Sequence, residues 1–275
     1  METRLFYLSP GRRPPSHIIL LLLPCKQDEG AYGTALLSKN TETKIAEVRD
    51  MKDNKKNIKK NNDKVEVVFI LDRSGSMSGM EADTIGGFNS TLKKQREQGE
   101  NVIWSTVLFD DKYEVIHNRV PIAEVKELTE NEYYVRGCTA LLDAVGKTIH
   151  HIAHVHKREG AWEAPGKTLI VITTDGMENA SREYTYKKVS SMIKKEQEKY
   201  GWEFLFLGAN MDAVSEAGRI GISADRSATF LNDSEGIATN YRVAACAIGR
   251  MMRNEALDEG LLDEVRADYK ARCGK

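Results

Sequence analysis

Three oxygen-bearing side chains fall on alternate residues in Asp72-Arg73-Ser74-Gly75-Ser76: one carboxylate and two hydroxyls. That spacing lets one turn of a Gly-containing loop aim all three oxygens inward. Hard divalent cations such as Mg2+ take oxygen ligands in near-octahedral array and keep several waters, so the chemistry offered is ion binding. Rival loops fail residue by residue. An EF-hand wants Gly and a late Glu where Met77 and Asp83 stand. A nucleophile elbow wants Ser at Met77, between Gly75 and Gly79. No Gly-Lys-Ser/Thr phosphate loop occurs. A solvated turn, with Ser74 or Ser76 capping the next helix, fits the same five residues.

The loop is positioned by the run before it. Val65, Val67, Val68, Phe69, Ile70 and Leu71 are β-branched or apolar with little alternation, which suits a strand buried on both faces. Further strands are predicted over Asn101–Phe109, Tyr113–Ile116, Lys167–Thr173, Glu203–Leu207 and Ser227–Leu231. The turn Asp110-Asp111-Lys112 makes the second and third a hairpin, hence one antiparallel edge. Helices are predicted over Glu81–Gln98, from Thr139 through His156, over Glu183–Tyr200, over Ala213–Gly218 with Asp212 as N-cap, and from Ile237 to Met252. Leu261, Leu262, Val265 and Tyr269 suggest one more. Pro121 is expected to start a short helix. This alternation requires an α/β, Rossmann-like, doubly wound and mostly parallel six-stranded sheet with helices on both faces. Such sheets bind ligands at the carboxyl ends of their strands, where the winding reverses.

Asp-x-Ser-x-Ser after a hydrophobic strand resembles the metal-ion-dependent adhesion site of von Willebrand factor A domains. That family completes its site with a Thr on a second loop and an Asp on a third. Gly137-Cys138-Thr139-Ala140-Leu141-Leu142-Asp143 resembles the Thr loop and Thr173-Thr174-Asp175-Gly176 the Asp loop, in the family's order. The resemblance implies Asp72, Ser74, Ser76, Thr139 and Asp175 as the metal set, with Mg2+ or Mn2+ as the ion. Ser74 and Ser76 would bind directly, Thr139 directly or through water, and Asp72 and Asp175 mainly by accepting from coordinated waters. It further implies a protein partner whose Glu or Asp carboxylate fills the open position. The wording DRSGSM, TALLDA and TTDGMENAS is similar to bacterial and phage stand-alone members, some encoded beside tellurite-resistance systems.

Other residues near these loops carry two readings each. Asp143, one turn beyond Thr139, either orients the Thr or a metal-bound water, or opposes the helix dipole. Gly75, Gly176, Asn210 and Tyr134 are candidates for the site's surroundings or its partner-facing rim. His150 and His154 have zinc-sharing spacing but lack the Glu of a zinc-protease helix, so a solvated face is expected. A metal-dependent hydrolase is the alternative function, with His117, Glu178 and Asp110 as its candidate bases.

The four cysteines, Cys25, Cys138, Cys246 and Cys273, are far apart and make no Cys-x-x-Cys motif, so reduced thiols in a cytoplasmic protein are expected. Cys138 reads as a space-filler in a tight loop. Residues 1–64 hold thirteen Lys/Arg against eight Asp/Glu, a charge of +5, leaving −6 for residues 65–275 of the −1 total. An acidic domain argues against nucleic acid as partner. The apolar run Ile18–Leu23 behind Arg12 and Arg13 imitates a signal peptide but is too short to span a bilayer. A secreted or lipid-anchored adhesin is the reading that would follow from it. The division expected is an N-terminal extension and Lys/Asn-rich linker over 1–64, the von Willebrand factor A-like domain over 65–253, and a helical tail over 254–275. The function expected is a metal-dependent protein-binding module.

Overall fold

The computed structural model describes residues 63–273; the N-terminal extension, its apolar run and nearly all of the Lys/Asn-rich linker lie outside the described residues. Strands β1 (Val65–Asp72), β2 (Val102–Phe109), β3 (Tyr113–Pro121), β4 (Lys167–Thr174), β5 (Glu203–Ala209) and β6 (Ser227–Phe230) form one sheet in the order β3-β2-β1-β4-β5-β6. All neighbours are parallel except β2 and β3. The first connection leads from β1 to β2 on one side, while β4, on the other side of β1, leads outward to β5. The winding therefore reverses between β1 and β4, and the loops after Asp72 and Thr174 open side by side at their carboxyl ends.

Helices α1 (Glu81–Gln98), α2 (Leu141–Glu163), α3 (Tyr186–Tyr200), α4 (Ala213–Arg219), α5 (Ser234–Met252) and α6 (Asp263–Cys273) cover both faces. The period of two along β1 assigns the layers. Val65, Val67, Phe69 and Leu71 pack with Phe88 and Leu92 of α1, Ile248 of α5, and Leu262 and Val265. Val68 and Ile70 pack with Val145 and Ile149 of α2 and Ile193 of α3. Phe69 stacks on Trp104 with ring centroids 5.0 Å apart, and Phe88 meets both rings edge-on at 5.7 Å. Among the described residues, no helix is long and apolar enough to cross a membrane.

Several boundaries differ from the sequence expectation: α2 begins at Leu141 rather than Thr139, which lies in the loop before it, and α5 begins at Ser234 rather than Ile237. Strand β3 continues past Ile116 to Pro121, with register irregularities opposite Trp104–Val107. Its polar stretch His117-Asn118-Arg119 hides it from hydrophobic patterning, and an edge strand tolerates a terminal proline. A 3-10 turn, Ile122–Glu124, follows. Helix α3 begins at Tyr186 rather than Glu183, with Thr185 as N-cap accepting from the Lys188 N–H. The residues before it are held in a loop by Asp143.

Candidate metal centre

Asp72 ends β1 and is almost fully buried, 1% exposed. Its Oδ1 accepts from the Ser74 N–H at 2.7 Å, closing the tight turn that brings the two serines back over the strand end. Its Oδ2 accepts from the Thr174 hydroxyl at 2.6 Å, tying the end of β1 to that of β4. Ser74 Oγ and Ser76 Oγ lie 3.0 Å apart, and Ser76 Oγ donates to Asp175 Oδ1 at 2.6 Å. Asn232 donates to Asp175 Oδ2 at 3.1 Å from the loop after β6.

Thr139 arrives from the third direction. Its backbone is clamped by Asn179, whose Oδ1 accepts from the Thr139 N–H while the Asn179 N–H donates to the Thr139 carbonyl. Gly75 donates its N–H to the Gly137 carbonyl, joining the first and second loops. Gly176 is where the loops crowd. A Cβ there would stand 2.7 Å from Thr139 Oγ1 and 3.4 Å from Ser76 Oγ, so only glycine lets the chain pass. The five sequence-selected residues thus converge from three loops.

The donor set suits a hard cation. Oxygens in adjacent octahedral positions at Mg2+ bond lengths lie about 2.9 Å apart. The two serine oxygens proposed as direct ligands, Ser74 Oγ and Ser76 Oγ, lie 3.0 Å apart, close to that edge. Charge points the same way. Burial, followed by lesser effects including the charge of Asp175, pushes the Asp72 carboxyl up to about 6 despite the bonds from Thr174 and Ser74. Burial also raises Asp175. Among the described residues no three of His, Cys, Asp and Glu gather as a metal cluster, so any ion held here would need mixed carboxylate and hydroxyl donors.

Beneath the first loop lies a scaffold that sequence patterning did not single out. Arg73 is fully buried, its Nε on Asp110 Oδ2 at 3.0 Å and its Nη1 on the Glu132 carbonyl. Asp110 also accepts from Arg136 at 2.7 Å, and the two arginines hold its carboxyl below the usual range against burial, which acts the other way. Tyr133 donates its hydroxyl to the Asp72 carbonyl at 2.6 Å. A charged Arg between two ligand positions ordinarily signals solvent, which is why this anchor was not legible. Thr174 and Asn179 lie within TTDGMENAS, where no local pattern distinguishes them from their neighbours. Asn232 lay in an unremarked turn.

The other candidates are placed as follows. Asp143 accepts from the N–H groups of Arg182, Glu183 and Tyr184, so its oxygens organise the loop before α3. Asn210, at φ 52°, turns its Oδ1 to the Asn232 N–H. Tyr134 is an exposed rim residue lying against Arg73 and Arg136, with its hydroxyl accepting from Arg136. The three candidate bases hold structural bonds: His117 meets Thr106 at 3.0 Å inside the sheet layer, Asp110 holds two arginines, and Glu178 accepts from the Leu142, Ala180 and Ser181 N–H groups. His150 and His154 stack with ring centroids 6.5 Å apart, with no third ligand among the described residues.

No protein-family model matches the chain, and no curated protein does. Solved structures match by fold. The vWF domain of the type V pili tip protein Mfa5 from Porphyromonas gingivalis superposes with a TM-score of 0.50 at 12% identity, covering 71% of this chain and 98% of that one. The pilus adhesin SpaC from Lactobacillus rhamnosus GG gives 0.54 at 13% identity, covering 70% of this chain and 31% of SpaC. A D319A mutant of the PilB minor pilin from Streptococcus sanguinis gives 0.50 at 13% identity, covering 70% of this chain and 64% of PilB. The chain spans less than two thirds of both SpaC and that PilB mutant. The fold is von Willebrand factor A-like.

Proposed function

We propose that this chain is a metal-dependent protein-binding module. Asp72, Ser74, Ser76, Thr139 and Asp175 would hold one Mg2+ or Mn2+, and a Glu or Asp carboxylate from a protein partner would complete the site. The reading rests on one observation above the others: two carboxylates and three hydroxyls from separate loops share one small space. A bound ion would place a positive centre between the Asp72 and Asp175 carboxylates. Asp72 and Thr174 keep the two strand ends in register, and Asn179 and Gly176 keep Thr139 against the serines. With only two carboxylates in the set, the ion would keep net positive charge, which favours an anionic ligand oxygen.

That a pilus adhesin and a pili tip protein carry this fold is in keeping with a binding role. The exposed free thiols of Cys138, Cys246 and Cys273 fit a reducing compartment, and the proposal puts the module in the cytoplasm. The test is capture on immobilised protein in Mg2+ against chelator, with wild type and Thr139→Ala in parallel. A partner retained only by wild type in Mg2+ is expected. Equal retention in chelator would remove the metal from the recognition step.

A further inference from the structure

The opposite end of the sheet carries a second feature. Where α2 and α3 finish and β5 begins, a cavity of about 260 Å3 lies between Ala153, Gly160, Tyr200 and Trp202. The small residue Ala153 gives it width. Gly160, at φ 77° and ψ 179°, breaks the regular winding of α2, and a Cβ built there would meet nothing within 4 Å. Its lining is mainly apolar, and its size fits a fragment smaller than the usual drug-sized ligand.

Two carboxylates stand behind these walls where a plain core would have hydrocarbon. Glu196 continues the buried stripe of α3, after Val189 and Ile193, and is 2% exposed. Its bonded partner is the neighbouring Lys195 at 2.8 Å, a side chain more than half exposed. An ion pair with a solvated lysine is weak and readily displaced, whereas a desolvated carboxylate gains strongly from a well-placed donor. Glu66 is fully buried but already satisfied, by Arg119 Nε at 2.8 Å and by His156 Nε2. That bond fixes the His156 ring, which meets Trp202 edge-on at 5.4 Å and so steadies the aromatic wall. The buried carboxylate that lines the cavity is that of Glu196. Lys157, which also lines the cavity, is solvent-exposed.

We propose that this cavity binds a small organic cation: a protonated primary amine on a flat apolar body. The ammonium would donate to Glu196, displacing or sharing with Lys195, while the body lies against the Trp202 and Tyr200 rings. Aromatic faces attract both the apolar body and the cation. The site is independent of the metal loops, which lie at the other ends of the strands.

The test uses the full chain and three probes on the same phenethyl body: phenethylamine, its neutral near-isostere 2-phenylethanol, and the slightly larger anion 3-phenylpropionate. Intrinsic tryptophan fluorescence and the amide resonances of Ala153 and Gly160 report binding. Saturable binding of the amine is expected, with both counterparts weaker by about tenfold or more. Glu196→Gln should lower amine affinity by a similar factor and leave the alcohol unchanged, and Ala153→Leu should exclude all three. No saturation by the amine, equal binding of alcohol or propionate, or an amine affinity indifferent to Glu196→Gln would overturn the proposal. The probe comparison on wild type decides the matter even where a variant folds poorly.

Discussion

The burial of Asp72 makes a prediction that runs against intuition: removing its charge should stabilise the metal-free protein. Its carboxyl is pushed from 3.8 to about 6, chiefly by burial. The folded chain therefore binds this proton more tightly than the unfolded chain does. The stabilisation this provides is complete below about pH 4 and is lost as the pH rises through about 6. A rise of about two pH units corresponds to at most about 3 kcal/mol at pH 8. Asn fits the same space, accepts from the Ser74 N–H and offers its amide to Thr174 Oγ1. Asp72→Asn in chelator at pH 8 should thus be more stable by up to about 3 kcal/mol, or some 6–12 °C for a domain of this size. At pH 4 the two melting curves should meet. Mg2+ at ten times its dissociation constant should return about 1.4 kcal/mol to wild type and little to the variant. Circular dichroism melts at pH 8, 6 and 4, with chelator or Mg2+, measure all of this. A variant less stable than wild type in chelator at pH 8, or a gap of constant size across pH, would refute the reasoning.

Gly176→Ala should weaken metal binding by about tenfold or more while the melt moves by only a few degrees, because its Cβ would press on Thr139 Oγ1 outside the packed sheet layers; equilibrium dialysis with Mn2+ measures the first and calorimetry the second. Tyr133→Phe removes the bond to the Asp72 carbonyl and should lower stability by about 1–2 kcal/mol in urea titrations. Replacing His150 and His154 together with Gln should leave both metal content and partner capture as they were, and zinc lost from the purified variant would contradict this.

The sheet was legible because β1, β2, β4 and β5 are short apolar runs separated by helix-length amphipathic segments. The edge was less so: β3 faces solvent along much of its length, so beyond Ile116 its sequence gives no apolar period to read. The first candidate metal loop was legible because its oxygens sit on alternate residues directly after a strand end, and the Thr139 and Asp175 loops through their resemblance to the family's pattern. What holds them in place was not. Arg73 and Asp110 are 37 residues apart and Asp175 and Asn232 are 57 apart, and such pairings follow from topology rather than local pattern. Asp143 shows the same limit from the other side. Its position one turn past Thr139 permitted a role toward the site, but three backbone N–H groups 39–41 residues away hold its carboxylate.

The central claim is that the loops after β1 and β4, together with Thr139, hold one divalent ion. Isothermal titration of chelator-stripped protein with Mg2+ and then Mn2+ tests it most directly. Wild type should bind one ion per chain with weak affinity, since neutral hydroxyls and few carboxylates attract less than an all-carboxylate cage. Ser74→Ala should bind more weakly, and Asp175→Ala should show no binding while melting near the wild-type temperature. A folded Asp175→Ala protein that takes up the ion as tightly as wild type would contradict the account.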